Sequence, residues 1–540
     1  MRLYKYLFFI AVILLGCTRS LKAQYVGIIP QPQSVRLGKD SLEIKGSVNM
    51  VDKEKVSVST LQYLKINLMD RFQIYSRHDV TEPSAIAFQH VEQSKGLVND
   101  ESYELIIDDN GVTLKAKSDK GYFNAANSLL QLLYFYDTKS GIKLPYLTIK
   151  DGPEYEWRGF MLDESRHFFG KDKVKQLLDW MAYYKLNKFH WHLTDEPAWR
   201  VEVKQYPFLR LVGGVGNYLN PLAPAQYYSQ ADITEIVAYA TARQIEVIPE
   251  IDMPGHATAA NRAYPQFSGG GTKEHPDFTF HPAKESTYTY LSNILKEVHV
   301  LFPSNMIHLG GDEVAFGSKA WDDDKAVQDL KQKFGYHTNK EVETYFMRRM
   351  ADTLANLGAK LLVWDEMADA GLPKDKTIQY WWRHDKVSQL ELALKNGYAT
   401  VLCPRLPLYF DFVQAEDHRF GRKWNKDFNA LERVYHYDPT IYTNKELYKG
   451  QILGVQANLW TERIHNEQRL DFMVFPRIAA LAELAWTRKD RKDYENFKSI
   501  LKKHVVLYQS DGIYFYDPFK DSNAEPKVQV SKQKYIDNPE

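Results

Sequence analysis

Two adjacent carboxylic acids, Asp312 and Glu313, stand at the end of a short apolar run. The run Met306-Ile307-His308-Leu309 predicts a buried strand, and two glycines join it to the acids. Unpaired buried charge costs much free energy, so two acids in this position indicate a site that uses them. Paired carboxylates with separated pKa values are the groups that cleave glycosidic bonds. The alternative is a helix N-terminus, because acidic residues also suit the first turn of a helix.

The two acids are expected to have different roles. In a retaining glycosidase of the usual kind, the acid and the nucleophile lie about 5 Å apart. Adjacent residues on a regular strand point to opposite faces, so Asp312 and Glu313 can share a pocket only where the strand has ended. One of them is expected to donate a proton while its neighbour does something else. No G-x-S-x-G motif occurs, so a serine nucleophile has little support.

The elements that position these acids are predicted to be repeated βα units. From Trp157 onward, short apolar runs alternate with helical stretches, which is typical of such units. Eight strand candidates over roughly 330 residues favour an α/β fold, the (β/α)8 TIM barrel. The strand candidates are Arg158–Leu162, Lys188–Leu193, Glu246–Glu250, Met306–Leu309, Lys360–Trp364, Thr377–Trp381, Ala399–Cys403 and Ile452–Asn458. Helices are predicted between them over Lys171–Leu186, Asp232–Gln244, Lys284–Phe302 and Lys340–Leu357.

An open, doubly wound parallel sheet is the alternative fold, but no G-x-G-x-x-G follows the first predicted strand. In a (β/α)8 barrel the catalytic residues collect at the C-terminal ends of the strands, so polar residues are expected directly after each predicted strand. Acids, tryptophans and other polar groups follow almost every predicted strand. These strand-end groups are Asp163 to His167, Thr194 to Glu196, Asp252 to His256, Asp312 with Glu313, Trp364 to Glu366, Trp381 to Arg383, Tyr409 with Asp411, and Trp460 to Glu462.

The histidines do not form a convincing metal site, since none of the 16 lies in an H-E-x-x-H motif. His190 and His192 lie two apart on a predicted strand, so both rings face one side, and a packing role is favoured over a metal pair. Asp252 and His256 lie four apart and could form an acid–histidine pair that either holds a turn or tunes a general acid. We therefore expect no metal and no cofactor.

A small α+β domain is predicted to precede the barrel, over residues 24–150. Two strands, Ser102–Ile107 and Gly111–Ala116, are predicted about a turn, and Gly121–Tyr136 is predicted to be a helix with one apolar face. The barrel is expected over residues 151–490. Residues 491–540 are expected to form a C-terminal helix, Tyr494–Leu507, and a polar tail.

The first 23 residues predict a secretory signal peptide. Arg2 and Lys5 precede an apolar stretch over 6–15 that is too short to span a bilayer. Leu14-Leu15-Gly16-Cys17 resembles a bacterial lipobox, which would lipidate Cys17; cleavage after Ala23 is the alternative. An exported protein is expected, in the periplasm or anchored as a lipoprotein in the outer membrane or at the cell surface.

The bulk composition limits the partners. Lys and Arg together number 69, as do Asp and Glu, so net charge does not indicate a polyanionic partner, and no basic cluster with aromatics suggests nucleic acid. Aromatic residues make up 14% of the chain, which suits sugar binding because flat apolar sugar faces stack on rings. The composition does not predict an oligomeric state.

Five motifs resemble those of the β-N-acetylhexosaminidases of glycoside hydrolase family 20. They lie within about residues 30 to 490, and their order and spacing are specific. The resemblance implies a small α+β domain before a catalytic barrel. The motifs are Arg158-Gly159…Asp163…Ser165-Arg166-His167-Phe168, His190 to Asp195, Pro249 to His256, His308 to Glu313, and Trp460-Thr461-Glu462.

The resemblance implies substrate-assisted hydrolysis of a glycan that ends in β-linked N-acetylhexosamine. The substrate's own 2-acetamido oxygen attacks the anomeric carbon and forms an oxazolinium ion. Glu313 would be the general acid and then the base, while Asp312 would hold the acetamido N–H.

Further roles follow from the resemblance, residue by residue. Trp364, Trp381 and Trp460 match the aromatic box around the acetamido methyl, and Tyr409 matches the hydroxyl that bonds the acetamido oxygen. Trp382, next to Trp381 on a strand, is expected to point the other way. The remaining matches are Arg166 with Asp195 and Glu462 at the sugar's 3- and 4-hydroxyls, Asp411 at the 6-hydroxyl, and Asp252 with His256 beside the acid. Arg166 and Glu462 would close the non-reducing end, which implies exo action.

Two other functions stay open on the sequence alone. One is an enzyme of the same fold that releases lacto-N-biose or 6-sulfated N-acetylglucosamine. The other is a glycan-binding lipoprotein without catalysis, although binding alone does not need Glu313. The preference between N-acetylglucosamine and N-acetylgalactosamine depends on finer geometry than a sequence shows.

Overall fold

The computed structural model describes residues 26–52, 56–77, 85–92, 99–424, 426–441, 448 and 450–526. The predicted signal peptide, with Cys17 and Ala23, lies outside the described residues. Within them, no helix is both long and apolar enough to cross a membrane.

The N-terminal part is an eight-stranded mixed sheet with two helices. The strand order is β1-β8-β5-β6-β4-β2-β3, and β7 pairs with β8. Helix Asp119–Tyr136 buries an apolar face that includes Leu129 and Leu133 against the sheet, and helix Val58–Phe72 packs beside it. The strands are β1 Ser34–Ile44, β2 Ser47–Asp52, β3 Tyr75–Arg77, β4 Ile86–His90, β5 Tyr103–Asp108, β6 Gly111–Ala116, β7 Asp137–Thr138 and β8 Gly141–Asp151.

The second part is a closed barrel of eight parallel strands, in the order β10-β11-β14-β15-β16-β17-β18-β9. The predicted (β/α)8 barrel is confirmed, and the closure of β18 onto β9 excludes the open sheet. Each predicted strand corresponds to an observed one. The barrel strands are β9 Trp157–Asp163, β10 Lys188–His192, β11 Glu246–Met253, β14 Met306–Gly310, β15 Lys360–Trp364, β16 Thr377–Trp381, β17 Ala399–Leu402 and β18 Ile452–Leu459. A short ribbon, β12 Ser268–Gly270 with β13 Thr279–Phe280, lies in the loop after β11.

Helices surround the barrel, and local chemistry sets their ends. The predicted helix from Lys171 ends at Tyr183 rather than Leu186, because Lys185 adopts a left-handed backbone. Another begins at Gln230, two residues earlier than predicted, where Ser229 and Asp232 form a capping box. The helices after the first sheet are Lys171–Tyr183, Gln230–Thr241, Thr258–Ala263, Glu285–Leu301, Ala315–Ser318, Lys325–Phe334, Asn339–Asn356, Val387–Lys395, Arg405–Leu408, Leu431–His436, Glu467–Val474, Arg477–Trp486 and Tyr494–Ser510.

Strand β11 runs three residues beyond its predicted end, and this extension matters for the site. Its pairing with β14 shifts register between Glu250 and Met253, so the strand bulges there. The bulge places Asp252 next to Gly310 at the end of β14. The residues after both strands therefore meet at the mouth of the barrel.

Candidate active site

Asp312 and Glu313 share one pocket because the backbone before and at Glu313 is left-handed. The φ angles are 68° at Gly310, 86° at Gly311 and 50° at Glu313, so regular strand alternation ends before the acids. As a result, His256 Nε2 lies 3.5 Å from Asp312 Oδ2 and 3.5 Å from Glu313 Oε2. Both carboxyl groups therefore point to the same side of the chain.

Gly310 is required at its position for a second reason. A Cβ atom there would lie 1.8 Å from Asp252 Oδ1, which no side chain could tolerate. Asp252 is buried, and neither of its carboxyl oxygens has a hydrogen-bond partner among the described residues. Burial, together with the neighbouring Asp312, raises the pKa of Asp252 well above its usual value. Asp252 therefore lies beneath Asp312 as a carboxyl group that favours its protonated form.

The two acids differ in how they hold a proton. Burial raises the pKa of Asp312 well above its usual value; the imidazole of His256 opposes this, and Glu313 adds to it. Burial also acts to raise the pKa of Glu313, but His256 and Arg166 outweigh it and lower that pKa. In the free protein, a shared proton therefore resides on Asp312 rather than on Glu313.

Asp195 holds three charged groups of the site together. It lies 2.8 Å from Arg166 Nη1, 2.8 Å from His192 Nε2 and 3.0 Å from His256 Nδ1. Burial alone would raise the pKa of Asp195, but Arg166, His256 and His192 lower it well below its usual value. Burial would lower the pKa of His256, yet its carboxylate neighbours, first Asp195, raise it well above the usual value. Asp195 is thus an ionised carboxylate that favours the imidazolium of His256.

A second buried carboxylate, Glu250, supports the site from below. Its oxygens lie 2.8 Å from His190 Nε2, 2.7 Å from His192 Nδ1 and 3.1 Å from His308 Nδ1, and Trp364 Nε1 donates to it at 3.0 Å. Burial acts to raise the pKa of Glu250, but the three histidines lower it well below its usual value. Both rings of the predicted His190–His192 pair thus face one side, toward Glu250.

The grouping of His190, Glu250 and His308 is also close enough to ligate a metal, since its donor atoms lie within 4.8 Å of one another. However, the side-chain nitrogen of Gln456 faces His190 Nδ1 at 3.1 Å, and an amide nitrogen can only donate. His190 therefore carries its proton on Nε2, toward Glu250. His192 Nδ1 and Trp364 Nε1 also hydrogen-bond to Glu250, whereas His308 Nδ1 accepts the backbone N–H of Gly310 at 3.1 Å and only faces the carboxylate.

Four aromatic rings form a wall above this network. Trp364, Trp382 and Tyr409 belong to one buried cluster, against which Trp460 packs. Trp382 stacks parallel to Tyr409 with ring centroids 6.3 Å apart, and Trp460 lies 6.0 Å from Trp364 and 6.2 Å from Tyr409. The wall is an apolar surface at the same mouth of the barrel as the two acids, because its rings lie at or after the ends of β15, β16, β17 and β18.

The expectation that Trp381 belongs to this wall is wrong, and Trp382 takes its place. Trp381 packs with Leu402 and Val363 in the outer core between barrel and helices, and its indole N–H donates to Lys386 O at 3.2 Å. Successive side chains of a strand alternate, and inward-facing Tyr380 sets the phase of β16. Trp382 continues that phase past the strand's last residue, so it faces inward while Trp381 faces outward.

Charged residues line the part of the mouth that follows β17 and β18. Asp411 and Glu462 both face Arg422, with Arg422 Nε 3.3 Å from Asp411 and Nη2 3.7 Å from Glu462. Both oxygens of buried Asp411 have no hydrogen-bond partner among the described residues, so they are available to hydroxyl donors. Arg166 lies over the Trp460 ring at 5.1 Å, which joins this group to the aromatic wall.

Comparisons with known proteins identify the family. A family model described as "Glycosyl hydrolase family 20, catalytic domain" matches residues 155–489, and one described as domain 2 of the same family matches residues 25–152. The chain belongs to glycosyl hydrolase family 20. It is therefore a glycoside hydrolase, and the alternative of a glycan-binding protein without catalysis is not favoured.

Relatives of known name agree with this assignment. The chain is 32% identical to a beta-hexosaminidase of Porphyromonas gingivalis, over 92% of this chain and 65% of that protein. It is 31% identical to a beta-hexosaminidase of Vibrio furnissii, over 85% of this chain and 76% of that protein. The structure of an exo beta-N-acetylglucosaminidase from Vibrio harveyi with N-acetylglucosamine matches with a TM-score of 0.83 at 29% identity, covering 92% of this chain and 79% of that one.

The structure brings together, in this family 20 site, every residue selected from the sequence except Trp381. Three residues to which the sequence assigned no individual role also lie there. Glu250 lies within the motif Pro249 to His256, but its role is shown only by its contacts with His190, His192, His308 and Trp364. Glu366 accepts a hydrogen bond from Trp382 Nε1 at 3.0 Å, and its place directly after β15 was the available signal. Arg422 had no such signal, because a bridge to Phe412 within the loop after β17 positions it.

Proposed function

We propose that the chain is an exo-acting, retaining hydrolase that removes terminal β-linked N-acetylhexosamine from glycans by substrate-assisted catalysis. The observation that carries this proposal is the placement of the adjacent carboxyl groups of Asp312 and Glu313 on one side of the chain, both facing His256. This arrangement suits two groups that act side by side on one substrate. It does not suit an acid and a nucleophile on opposite faces of a sugar.

The proposed reaction uses the acetamido oxygen as the nucleophile. As this oxygen attacks the anomeric carbon, Glu313 gives its proton to the glycosidic oxygen and the leaving group departs. Asp312 accepts the acetamido N–H and stabilises the positive charge of the oxazolinium ion. Glu313 then takes a proton from water, which opens the ring at the anomeric carbon with net retention. A nucleophile that is part of the bound substrate is already oriented for attack.

This reaction needs the proton on Glu313, whereas the free protein favours it on Asp312. We infer that substrate binding shifts the proton from Asp312 to Glu313. An acetamido N–H that donates to Asp312 favours its ionised form. The sugar also covers Glu313, whose side chain is 26% exposed, and loss of water favours the neutral acid.

The surroundings support exo action on an N-acetylated sugar. The wall formed by Trp364, Trp382, Tyr409 and Trp460 offers an apolar surface for the acetamido methyl, with the Tyr409 hydroxyl as a donor to the acetamido oxygen. Arg166, Asp411 and Glu462 would bind the hydroxyls of the terminal sugar. Charged side chains at that end would stop a longer glycan from continuing past the terminal sugar, which is the basis of the proposed exo action.

Export is a further part of the proposal, supported by the sequence of residues 1–23 and the lipobox at Cys17. A lipoprotein in the periplasm, outer membrane or cell surface would meet glycans outside the cytoplasm. Labelling with a radioactive fatty acid tests this. We expect label on the wild type and none on Cys17→Ser, whereas unlabelled wild-type protein would indicate cleavage after Ala23.

A panel of aryl glycosides tests the proposed reaction: N-acetylglucosaminide, N-acetylgalactosaminide, 6-sulfo-N-acetylglucosaminide, glucoside and lacto-N-bioside. We expect hydrolysis of the first two and none of the plain glucoside, which has no acetamido nucleophile. Equal activity on the glucoside would refute substrate assistance. Preference for the sulfated sugar or the disaccharide would replace the proposed specificity.

The acid is tested by Glu313→Gln, which keeps the shape of the side chain but cannot donate a proton to the leaving group. We expect loss of turnover on substrates with poor leaving groups, with an unchanged thermal transition. A thiazoline analogue of the cyclised acetamido group should inhibit the wild type strongly. Wild-type turnover by the variant would remove Glu313 from its role.

A further inference from the structure

Two stacked rings lie at the mouth of the barrel, next to the proposed acid. The rings of His275 and Phe316 are 5.1 Å apart between centroids and 14° from parallel, and both residues are half-buried. Phe316 N–H donates to the carbonyl oxygen of Glu313 at 3.0 Å, so the phenyl ring follows the acid by a single turn. The proposed reaction assigns these rings no role.

The stacked pair is held by a buried ring. Phe278 is fully buried, and its centroid lies 5.4 Å from His275 and 6.2 Å from Phe316. The same ring lies 4.8 Å from His256, which contacts both acids. The rings of His256, Phe278, His275 and Phe316 therefore form a continuous row from the acid pair to the half-exposed surface. Buried Phe278 holds the two outer rings in place.

A carboxylate stands beside the rings. Glu196 lies 3.1 and 3.0 Å from His275 Nδ1 through its two oxygens, and its side chain is 24% exposed. Its own backbone N–H donates to Asp195 at 2.6 Å, so Glu196 is tied to the centre of the site. A half-exposed ring with a carboxylate at its edge offers both a stacking face and a hydroxyl acceptor.

The barrel topology places these residues on one particular side. Phe316 follows β14 and His275 lies in the loop after β11, whereas Asp411 and Glu462 follow β17 and β18. In the closed order β10-β11-β14-β15-β16-β17-β18-β9, these two pairs of strands face each other across the mouth. The rings therefore lie opposite Asp411 and Glu462, two of the residues that would bind the terminal sugar's hydroxyls, with Glu313 on their own side.

We propose that His275, Phe316 and Glu196 form the binding site for the leaving group, and that this site takes a pyranose ring. This inference rests on the proposed function, because a proton from Glu313 goes to the oxygen that joins the two sugars. Whatever lies beyond that oxygen is then on the side of Glu313, where the rings are. A pyranose fits because its flat C–H face stacks on a ring while its equatorial hydroxyls donate to Glu196.

The test compares two substrates that differ only in the leaving group. One is N,N′-diacetylchitobiose, which releases a sugar, and the other is methyl N-acetyl-β-glucosaminide, which releases methanol. We expect Phe316→Ala and His275→Ala each to lower the ratio of kcat/KM, disaccharide over methyl glycoside, by about 3- to 10-fold, as for loss of one aromatic contact. Glu196→Gln should lower the same ratio.

Two further variants make the result decisive. Phe316→Leu keeps an apolar side chain and should fold like the wild type, yet it should also lower the ratio because it has no ring. Phe208→Ala removes a ring that is 52% exposed and packs on Tyr264 away from these residues, so its ratio should be unchanged.

The outcomes separate this inference from the proposed function. Equal losses on both substrates would overturn the inference, because the rings would then serve only to hold Glu313. Unchanged kcat/KM on both substrates in the ring variants would overturn it as well, while the hydrolysis of both substrates by the wild type would leave the proposed function standing. A wild type that hydrolyses neither substrate would overturn both.

Discussion

His256 Nε2 is equidistant from the carboxyl groups of Asp312 and Glu313, at 3.5 Å from each. Its other nitrogen, Nδ1, lies 3.0 Å from Asp195 Oδ1. One imidazolium therefore connects an ionised carboxylate on one side with a pair of acids that share a proton on the other. The charge on this ring affects how readily Glu313 gives up its proton.

The first prediction concerns His256→Asn, which removes the positive charge. Asn suits the left-handed backbone of His256, whose φ is 51°. Burial would then raise the pKa of Glu313 without an opposing imidazolium. The alkaline limb of the pH profile of kcat/KM, which reports deprotonation of the acid, should move up by about one to two pH units. The measurement is kcat/KM for an aryl N-acetylglucosaminide between pH 4 and pH 10.

His281→Asn provides the control for this change. His281 lies later in the same loop and faces Asp324 at 3.2 Å rather than the acids. Its replacement should leave the alkaline limb in place. If the limb also stays in place in His256→Asn, the imidazolium does not govern the acid.

The second prediction separates the two adjacent tryptophans. Trp382→Ala removes part of the proposed acetamido wall and should lower kcat/KM by about 100-fold, because both the fit of the methyl group and the support of Tyr409 are lost. Trp381→Ala leaves a cavity in the outer core and should cost about 3–5 kcal/mol of unfolding free energy. Steady-state kinetics and denaturant titration of both variants test this. The reverse pattern would return Trp381 to the wall.

Much of the barrel was predictable because its strands are continuous apolar runs bounded by polar strand ends. Asp312 and Glu313 were predictable for the same reason, since the polar residues that follow parallel strands meet at one edge. The sequence did not show which of the two adjacent side chains at the end of β16 faces into the barrel, so Trp381 was selected in place of Trp382. Arg422 could not be found either, because its position depends on a contact within a loop rather than on a repeating pattern.

The third prediction concerns Glu250, the carboxylate that faces His190, His192 and His308. Glu250→Gln removes one of the two carboxylates that face the buried cation of His192, leaving only Asp195, and should cost about 3 kcal/mol. It also weakens the hold on Trp364, so kcat/KM should fall. Because the folded protein lowers the pKa of Glu250, its stabilisation is present above the unfolded pKa of about 4.3 and is lost as the pH falls. The stability gap to the wild type should therefore be larger at pH 7 than at pH 4.

Glu343→Gln is the matched control, and we expect it to change the free energy of unfolding much less. Glu343 is also buried, but burial raises its pKa to about 7 despite Lys340 at 2.9 Å. A neutral amide therefore replaces a group that is about half protonated at pH 7, so its cost there should be smaller than that of Glu250→Gln. Equal losses of unfolding free energy in the two variants would show that the histidines around Glu250 do not need its charge.

The last prediction is that Asp411→Asn stabilises the protein while weakening substrate binding. Burial raises the pKa of Asp411 to about 6, Arg422 opposes this, and Glu462 adds to it. The unfolded chain has an Asp pKa near 3.9, so wild-type stability falls as the pH rises from about 4 to about 6, where folding begins to bury a charge. The shift of about two pH units already includes the attraction of Arg422, and it corresponds to about 3 kcal/mol. The variant should match the wild type at pH 4, unfold at a higher temperature at pH 8, and show a higher KM because a neutral amide accepts sugar hydroxyls less strongly than a carboxylate.

Asp385→Asn should do the opposite at pH 8. Burial acts to raise the pKa of Asp385, but Arg405, 2.7 Å away, lowers it, so the charge of Asp385 stabilises the fold above pH 4. If Asp411→Asn lowered the unfolding temperature at pH 8, the ionised carboxylate would be a net stabiliser, and the view of Asp411 as a group kept for the substrate at the expense of stability would be wrong.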